Sequence, residues 1–167
     1  MLDLRPVKPG DAPAVHQLLS DPEIAVWLRP KGVTGPFTLE DCEAGIPAQV
    51  AHWRAHGFGV WLGWDGTECV SRWLLKHSIV DGRGEVEIGW TVARRYWGRG
   101  IGTSMGRHAL AVAAQHGVTN VVAFTRVDNH ASQRVMEKLG LTFDHEFVHA
   151  GLPHVLYRTS RERERHA

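Results

Sequence analysis

Between Val86 and Val92 the chain alternates strictly: Val86, Ile88, Trp90 and Val92 fall on one face, and Glu87, Gly89 and Thr91 on the other. That two-residue period predicts a strand. The period then changes. Beyond the turn Gly98-Arg99-Gly100-Ile101-Gly102, apolar or small residues recur at Ile101, Met105, Ala109 and Val112, the spacing of a helix face, and Gly117 is suited to end that helix.

The rest of the chain yields to the same reading. Residues 2–7 predict an opening strand, broken at Pro9-Gly10-Asp11, with Asp11 as N-cap of a helix to Leu19. Asp21-Pro22-Glu23 starts a short turn or helix carrying Ile24, Val26, Trp27 and Leu28, and residues 29–37 read as a loop. Thr38, followed by Glu40 and Asp41, caps a helix to about His56, with distortion expected at Gly45 and Pro47. Residues 58–64 and 68–77 form a hairpin across Asp65-Gly66, and a turn over 81–84 feeds the central strand. A strand at 118–125, a short helix at 131–139 ended by Gly140, and a hairpin of 143–148 with 155–158 around Gly151-Leu152-Pro153 complete an α/β layered pattern with a mixed sheet.

Composition narrows the setting. With 167 residues the chain reads as one domain, residues 1–160, followed by a charged, frayed tail at 161–167. The net charge is +1, which gives no strong steering toward nucleic acid or membrane. Cys42 and Cys69 are isolated and without metal spacing, as expected in a reducing compartment. The charged N-terminus lacks the form of a signal peptide, no apolar run is long enough to span a bilayer, and a cytoplasmic location is expected. The 11 histidines show no helical pair resembling a metal site, so no metal is expected.

A strand, a glycine turn and a helix start together make a candidate anion site, because unpaired N–H groups and the helix dipole both favour negative charge there. Arg99 adds a cation. The turn is not a P-loop, which requires a Gly-Lys-Ser/Thr ending, and from Gly98 the last position of a dinucleotide fingerprint is Thr103. By itself the turn is equally compatible with a plain tight turn.

A second motif, DNHASQRVMEKLGLTF at residues 128–143, follows the apolar run at 121–124. Together with YWGRGIGT at 96–103 it resembles the GNAT superfamily of acyl-CoA-dependent N-acetyltransferases, and the Trp-Gly-Arg-Gly and Val-Met-Glu-Lys forms look like its RimJ/RimL-like branch. The resemblance implies a single GNAT-like domain with a central mixed, mostly antiparallel sheet flanked by helices. It implies acetyl-CoA as co-substrate, an amine acceptor as the other partner, and leaves a homodimer open.

The resemblance also assigns residues. Main-chain groups of Trp97, Gly98, Arg99, Gly100, Ile101, Gly102 and Thr103 would hold the pyrophosphate, and the backbone at 87–92 the pantetheine arm, with an N–H near Val92 facing the thioester carbonyl. Trp97 stands where the family usually has Gln or Arg. Asn129 and Ser132, three residues apart at a helix start, would meet the arm and the sulfur, although plain N-capping by Asn129 is an alternative. Met136 replaces the tyrosine that many members use as general acid, which leaves Ser132 as partner of the departing thiolate. Glu87 is the expected base; Glu85, on the same face nearer the strand start, is the second candidate and an acceptor contact. Trp27 and Phe37 are expected against the acceptor. Trp73, bulky where relatives often carry small glycines, puts that pocket in question. A non-catalytic acyl-CoA-binding module and an unrelated nucleotide binder are the competing classes.

Overall fold

In the computed structural model, which describes residues 1–160, seven strands form one sheet in the order β1-β2-β3-β4-β5-β7-β6. The strands are β1 (Asp3–Pro6), β2 (Val60–Asp65), β3 (Glu68–Val80), β4 (Arg83–Val92), β5 (Val121–Arg126), β6 (Leu141–His149) and β7 (Leu152–Thr159). All neighbours are antiparallel except β4 and β5. Helices α1 (Ala12–Leu19), α2 (Pro22–Ala25) and α3 (Leu39–His56) precede β2, while α4 (Ile101–Gln115) and α5 (His130–Lys138) flank β5 in the chain. The tail expected to fray lies outside the described residues.

Two cores lie on opposite faces of the sheet. On one, Trp73, Leu75, Val86 and Ile88 meet Met105, Ala109 and Ala113 of α4 and Met136 of α5. Trp61 and Trp73 stack there with ring centres 4.4 Å apart, and Trp53 meets Trp61 edge-on at 5.0 Å. On the other face, Val15, Leu18, Cys42 and Ile46 of α1 and α3 cover Val60 and Leu62. Trp73 is 1 % exposed in the α4 core. It therefore fills packing space in that core.

Local chemistry explains most boundaries. Thr38 and Asp41 form a reciprocal capping box at the start of α3, and Gly57 ends that helix in the left-handed region at φ 75°. The helix runs unbroken through Gly45 and Pro47. Asp11 departs from expectation. It stands at the N-cap position of α1, but its carboxylate accepts from Arg5 and from the Lys8 N–H instead of the helix.

Both later hairpins turn more tightly than expected. Asp81 and Gly82 have φ of 49° and 74°, and Ala150 and Gly151 have 51° and 80°, as two-residue hairpin turns require. The last turn thus lies at Ala150-Gly151, and Pro153 belongs to β7, opposite Val148. Pro153 is tolerated because it lies beyond Arg126↔His154, the last pair of β7 with β5.

Candidate active site

The site is built on an asymmetry of β4. Along one edge it pairs with β3 without interruption from Val80↔Arg83 to Ser71↔Val92. Along the other it pairs with β5 at only Val86↔Val121 and Glu87↔Val122. Beyond Glu87 the two strands part. Ala93 donates its N–H to Val70 O, so Ala93 faces β3. By alternation, Val92, Trp90 and Ile88 turn their main-chain groups toward the gap. The Val92 carbonyl there accepts a 2.7 Å bond from the Trp97 indole N–H. The Trp97 side chain thus braces the end of β4, a contact that the sequence pattern did not reveal.

A short 3-10 turn at Arg94–Tyr96 carries the chain from β4 to the glycine turn. Gly98 and Gly100 both have φ 74°, a conformation that a side chain would strain. Gly100 is the N-cap of α4 and supplies no side-chain cap, and the helical bonding begins with Ser104 N–H to Gly100 O. The N–H groups of Ile101, Gly102 and Thr103 are left as the free donors of the first turn. A Cβ on Gly102 would come within 3.3 Å of the Trp90 ring, so this residue allows the helix start to sit directly on β4. Arg99 is exposed, with its guanidinium 5.0 Å from the Tyr96 ring centre.

Asn129 is the N-cap of α5: its side-chain oxygen accepts the Ser132 N–H at 3.2 Å. Capping, the simpler alternative, is thus what its oxygen does, which leaves its amide N–H groups for other contacts. Among the described residues nothing engages the Ser132 hydroxyl.

Glu87 occupies the apex, at the last β4–β5 pair. It is 7 % exposed, with Lys76 Nζ 3.4 Å from Oε1. Burial pushes its carboxyl above the ordinary glutamate range, against the opposing pull of Lys76, Ser78 and Arg72. The face that carries it is therefore an interior one. Glu85 is engaged elsewhere: both of its oxygens accept from Arg158, at 2.9 and 3.1 Å, and Arg158 also holds Asn120. That nearly buried ion pair ties β4 to β7 below the gap and commits the carboxylate of Glu85, the second base candidate and expected acceptor contact, to Arg158.

The two aromatic acceptor candidates separate. Trp27 lies 5.0 Å from the Arg126 guanidinium, at the open end of β5, and Arg126 also donates to Val26 O. Phe37 packs on the α1–α3 core under Arg29. Lys31 N–H bonds Ala150 O, and Gly151 approaches the Lys31 side chain so closely that a Cβ would sit 2.9 Å from it. The loop after α2 and the β6–β7 turn are thus joined. Phe124, His149 and His154 form a cluster beside them, with centroid distances of 4.9 Å and 5.1 Å along that order. Burial, then the Lys76 charge, lowers the His149 pKa.

Two other places attract notice. A shallow hollow of about 480 Å³ lined by His77, Ile79, Glu85 and Asn120 lies at the opposite end of β4 from the gap. His52 and His56 share one face of α3, with ring centres 4.4 Å apart. Both nitrogens of His52 are used, by Phe58 O and by the His77 N–H, and among the described residues no group of three or more potential ligands could hold a metal. No described helix is long and apolar enough to cross a membrane.

The strand, glycine turn and uncapped helix start stand where the two sequence motifs put them, and comparison with known families decides the matter. The acetyltransferase (GNAT) domain family matches residues 1–142. The chain belongs to the GNAT acetyltransferases. A curated relative, the FsC-acetyl coenzyme A-N(2)-transacetylase of Aspergillus fumigatus, is 29% identical over 114 residues, covering 62% of this chain and 43% of the relative. The chain thus spans under half the length of that protein.

Solved structures share the fold throughout. An acetyltransferase from Agrobacterium tumefaciens superposes with a TM-score of 0.75 at 23% identity, covering 96% of this chain and 91% of that one. AAC(6')-Ib, an aminoglycoside acetyltransferase, in complex with ribostamycin and coenzyme A gives 0.79 at 19%, covering 99% and 97%. The ribosomal-protein-S5-alanine acetyltransferase of Vibrio fischeri gives 0.75 at 16%, covering 95% and 92%. Relatives with different acceptors thus share one scaffold, and the acceptor of this GNAT chain must be argued from its own side chains.

Proposed function

We propose that this chain is an N-acyltransferase that moves an acetyl group from acetyl-CoA to a primary amine, either a protein N-terminal α-amine or a small-molecule amine, by direct attack on the thioester. The motif forms at Trp97-Gly98-Arg99-Gly100 and Val135-Met136-Glu137-Lys138 favour the RimJ/RimL-like branch. The observation that carries the reading is the parting of β4 from β5 beyond Glu87 and Val122, next to the free N–H groups of α4.

The residues present fit acetyl-CoA. Positive-φ glycines leave the helix start clear, the free donors at residues 101–103 suit a pyrophosphate, and the exposed main chain of β4 suits an amide-rich arm that bonds as a strand would. When bound, acetyl-CoA supplies an acyl group activated as a thioester. The Val92 N–H lies on the edge where a carbonyl oxygen that gains negative charge would be stabilised. Glu87 takes the proton of the acceptor ammonium, directly or through one water, and burial, by raising its pKa, makes it a stronger base than a free glutamate. The new C–N bond forms as the C–S bond breaks, and the second proton lost from nitrogen goes to the departing thiolate to give the free thiol. The Ser132 hydroxyl stands ready to donate to the leaving sulfur; thiols are acidic enough, cysteine at about pKa 8.5, for a thiolate to leave with only partial stabilisation.

The test mixes purified protein, acetyl-CoA and a panel of amines, and follows free thiol. Amine-dependent release is expected in the wild type. Gly100→Glu, which puts a negative side chain at the helix start, is expected to lose acetyl-CoA binding by calorimetry while staying folded. Undiminished binding by that variant would remove the anchoring role of the turn. Acetyl-CoA binding with no turnover on any amine would favour a non-catalytic binding module.

A further inference from the structure

Arg72 stands apart from the other basic side chains of the interior. Arg5, Arg29, Lys76, Arg126 and Arg158, none of them fully exposed, each have a carboxylate within 4 Å. Among the described residues Arg72 has none, and its Nε is closed to solvent with no hydrogen-bond partner. Its titratable neighbours are Cys42, Cys69 and Glu87. The two thiols are kept neutral by burial, Cys69 being pushed up to about 11, and Glu87 is held by Lys76. The side chain is half-buried, its Nε is shielded and its guanidinium has no carboxylate partner, and a bound anion would complete it.

The position of Arg72 indicates which anion. On β3 it alternates with Trp73, which faces the α4 core, so Arg72 faces the opposite side. Its cross-strand partner there is Thr91, on the β4 segment that borders the gap. Glu87 lies on that same face of β4, and its carboxylate feels the Arg72 charge. A proton acceptor and an uncommitted guanidinium thus share one face of the same strand pair.

We propose that Arg72 anchors the acceptor, and that the acceptor is a small amine carrying a carboxylate, as an amino acid does. The amine goes to Glu87 and the carboxylate to Arg72. This inference rests on the acetyltransferase reading above. A polycationic acceptor would meet uncompensated positive charge at Arg72 and is disfavoured.

The test compares α-amino acids with their α-amides, which keep the amine and remove the negative charge. Thiol release should favour the acid over the amide roughly 10- to 100-fold in kcat/KM, the range of a charged hydrogen bond. Arg72→Met, of similar length but uncharged, should bring that ratio close to one, and Arg72→Lys should retain part of it. Melting temperature checks that both variants fold. A wild-type ratio near one, a ratio unchanged in Arg72→Met, or a higher kcat/KM for an aminoglycoside such as ribostamycin overturns the proposal. Calorimetry separates it from the reading on which it rests. Amino acids titrated into protein saturated with coenzyme A should bind the wild type at least tenfold more tightly than Arg72→Met, even if no thiol is released. If no amino acid on the panel binds the wild type, Arg72 is not an acceptor anchor.

Discussion

The two edges of β4 meet different fates. Toward β3 the ladder is continuous, and the α4-facing side chains along it, Trp73 and Leu75, are sealed in an apolar core. Toward β5 it stops after two pairs, and the same strand offers bare main chain flanked by Glu87, Trp97 and the start of α4. One strand thus serves as both scaffold and candidate site. The sealed edge provides rigidity, and the open edge leaves hydrogen-bonding groups that a ligand can complete. Substitutions on the sealed side should therefore cost stability with little change in chemistry, and those on the open side the reverse.

The largest effect is expected on the sealed side. Trp73→Ala removes a fully buried ring stacked on Trp61 and should destabilise by about 3–5 kcal/mol. Urea unfolding measures this, and the acetyl-CoA affinity of the folded fraction should be unchanged. A large loss of affinity with little loss of stability would erase the division between the edges.

Glu87→Gln comes next, at the apex of the open side. It should lower kcat by roughly 10²-fold, the usual scale for a general base, with acetyl-CoA affinity kept. The deficit should be greatest at low pH and shrink as an α-amine acceptor deprotonates unaided near pKa 8. Stability should move the other way. Burial raises the Glu87 pKa, so the fold favours its protonated form. That contribution is complete below the ordinary carboxylate range and is lost as the pH rises through the raised value. The glutamine variant should match the wild type in Tm at low pH and exceed it at neutral pH and above. A variant less stable than the wild type at pH 8 would show that the Lys76 pair outweighs desolvation.

Ser132→Ala should lower kcat by less, about tenfold at most, because a thiolate leaves with partial stabilisation. Rapid-mixing measurement of thiol release resolves this step from product dissociation. The smallest change is expected for Trp97→Phe, which keeps an aromatic ring but loses the bond to Val92 O. One such bond amounts to roughly 0.5–1.5 kcal/mol. A few-fold rise in KM for acetyl-CoA with an unaltered Tm would place that ring at the open edge; a fall in Tm alone would make it structural.

Much of this was legible in the chain. Alternation at 86–92, the glycines at 98–102 and the Thr38-Asp41 cap are local signals, governed by backbone sterics and by hydrogen bonds a few residues apart, and they located β4, the helix start and α3 within a few residues. Tertiary structure decided the rest. Whether a carboxylate on the polar face of β4 is buried, as at Glu87, or tied to a distant arginine, as at Glu85, depends on what β5 and β7 place opposite it. The Lys76–Glu87 pair follows from the two-residue turn at Asp81-Gly82, since reading the turn as longer shifts the register and hides that contact. The parting of β4 from β5 and the isolation of Arg72 leave no local trace, because both arise from strands distant in sequence that meet, or fail to meet, only in the folded sheet.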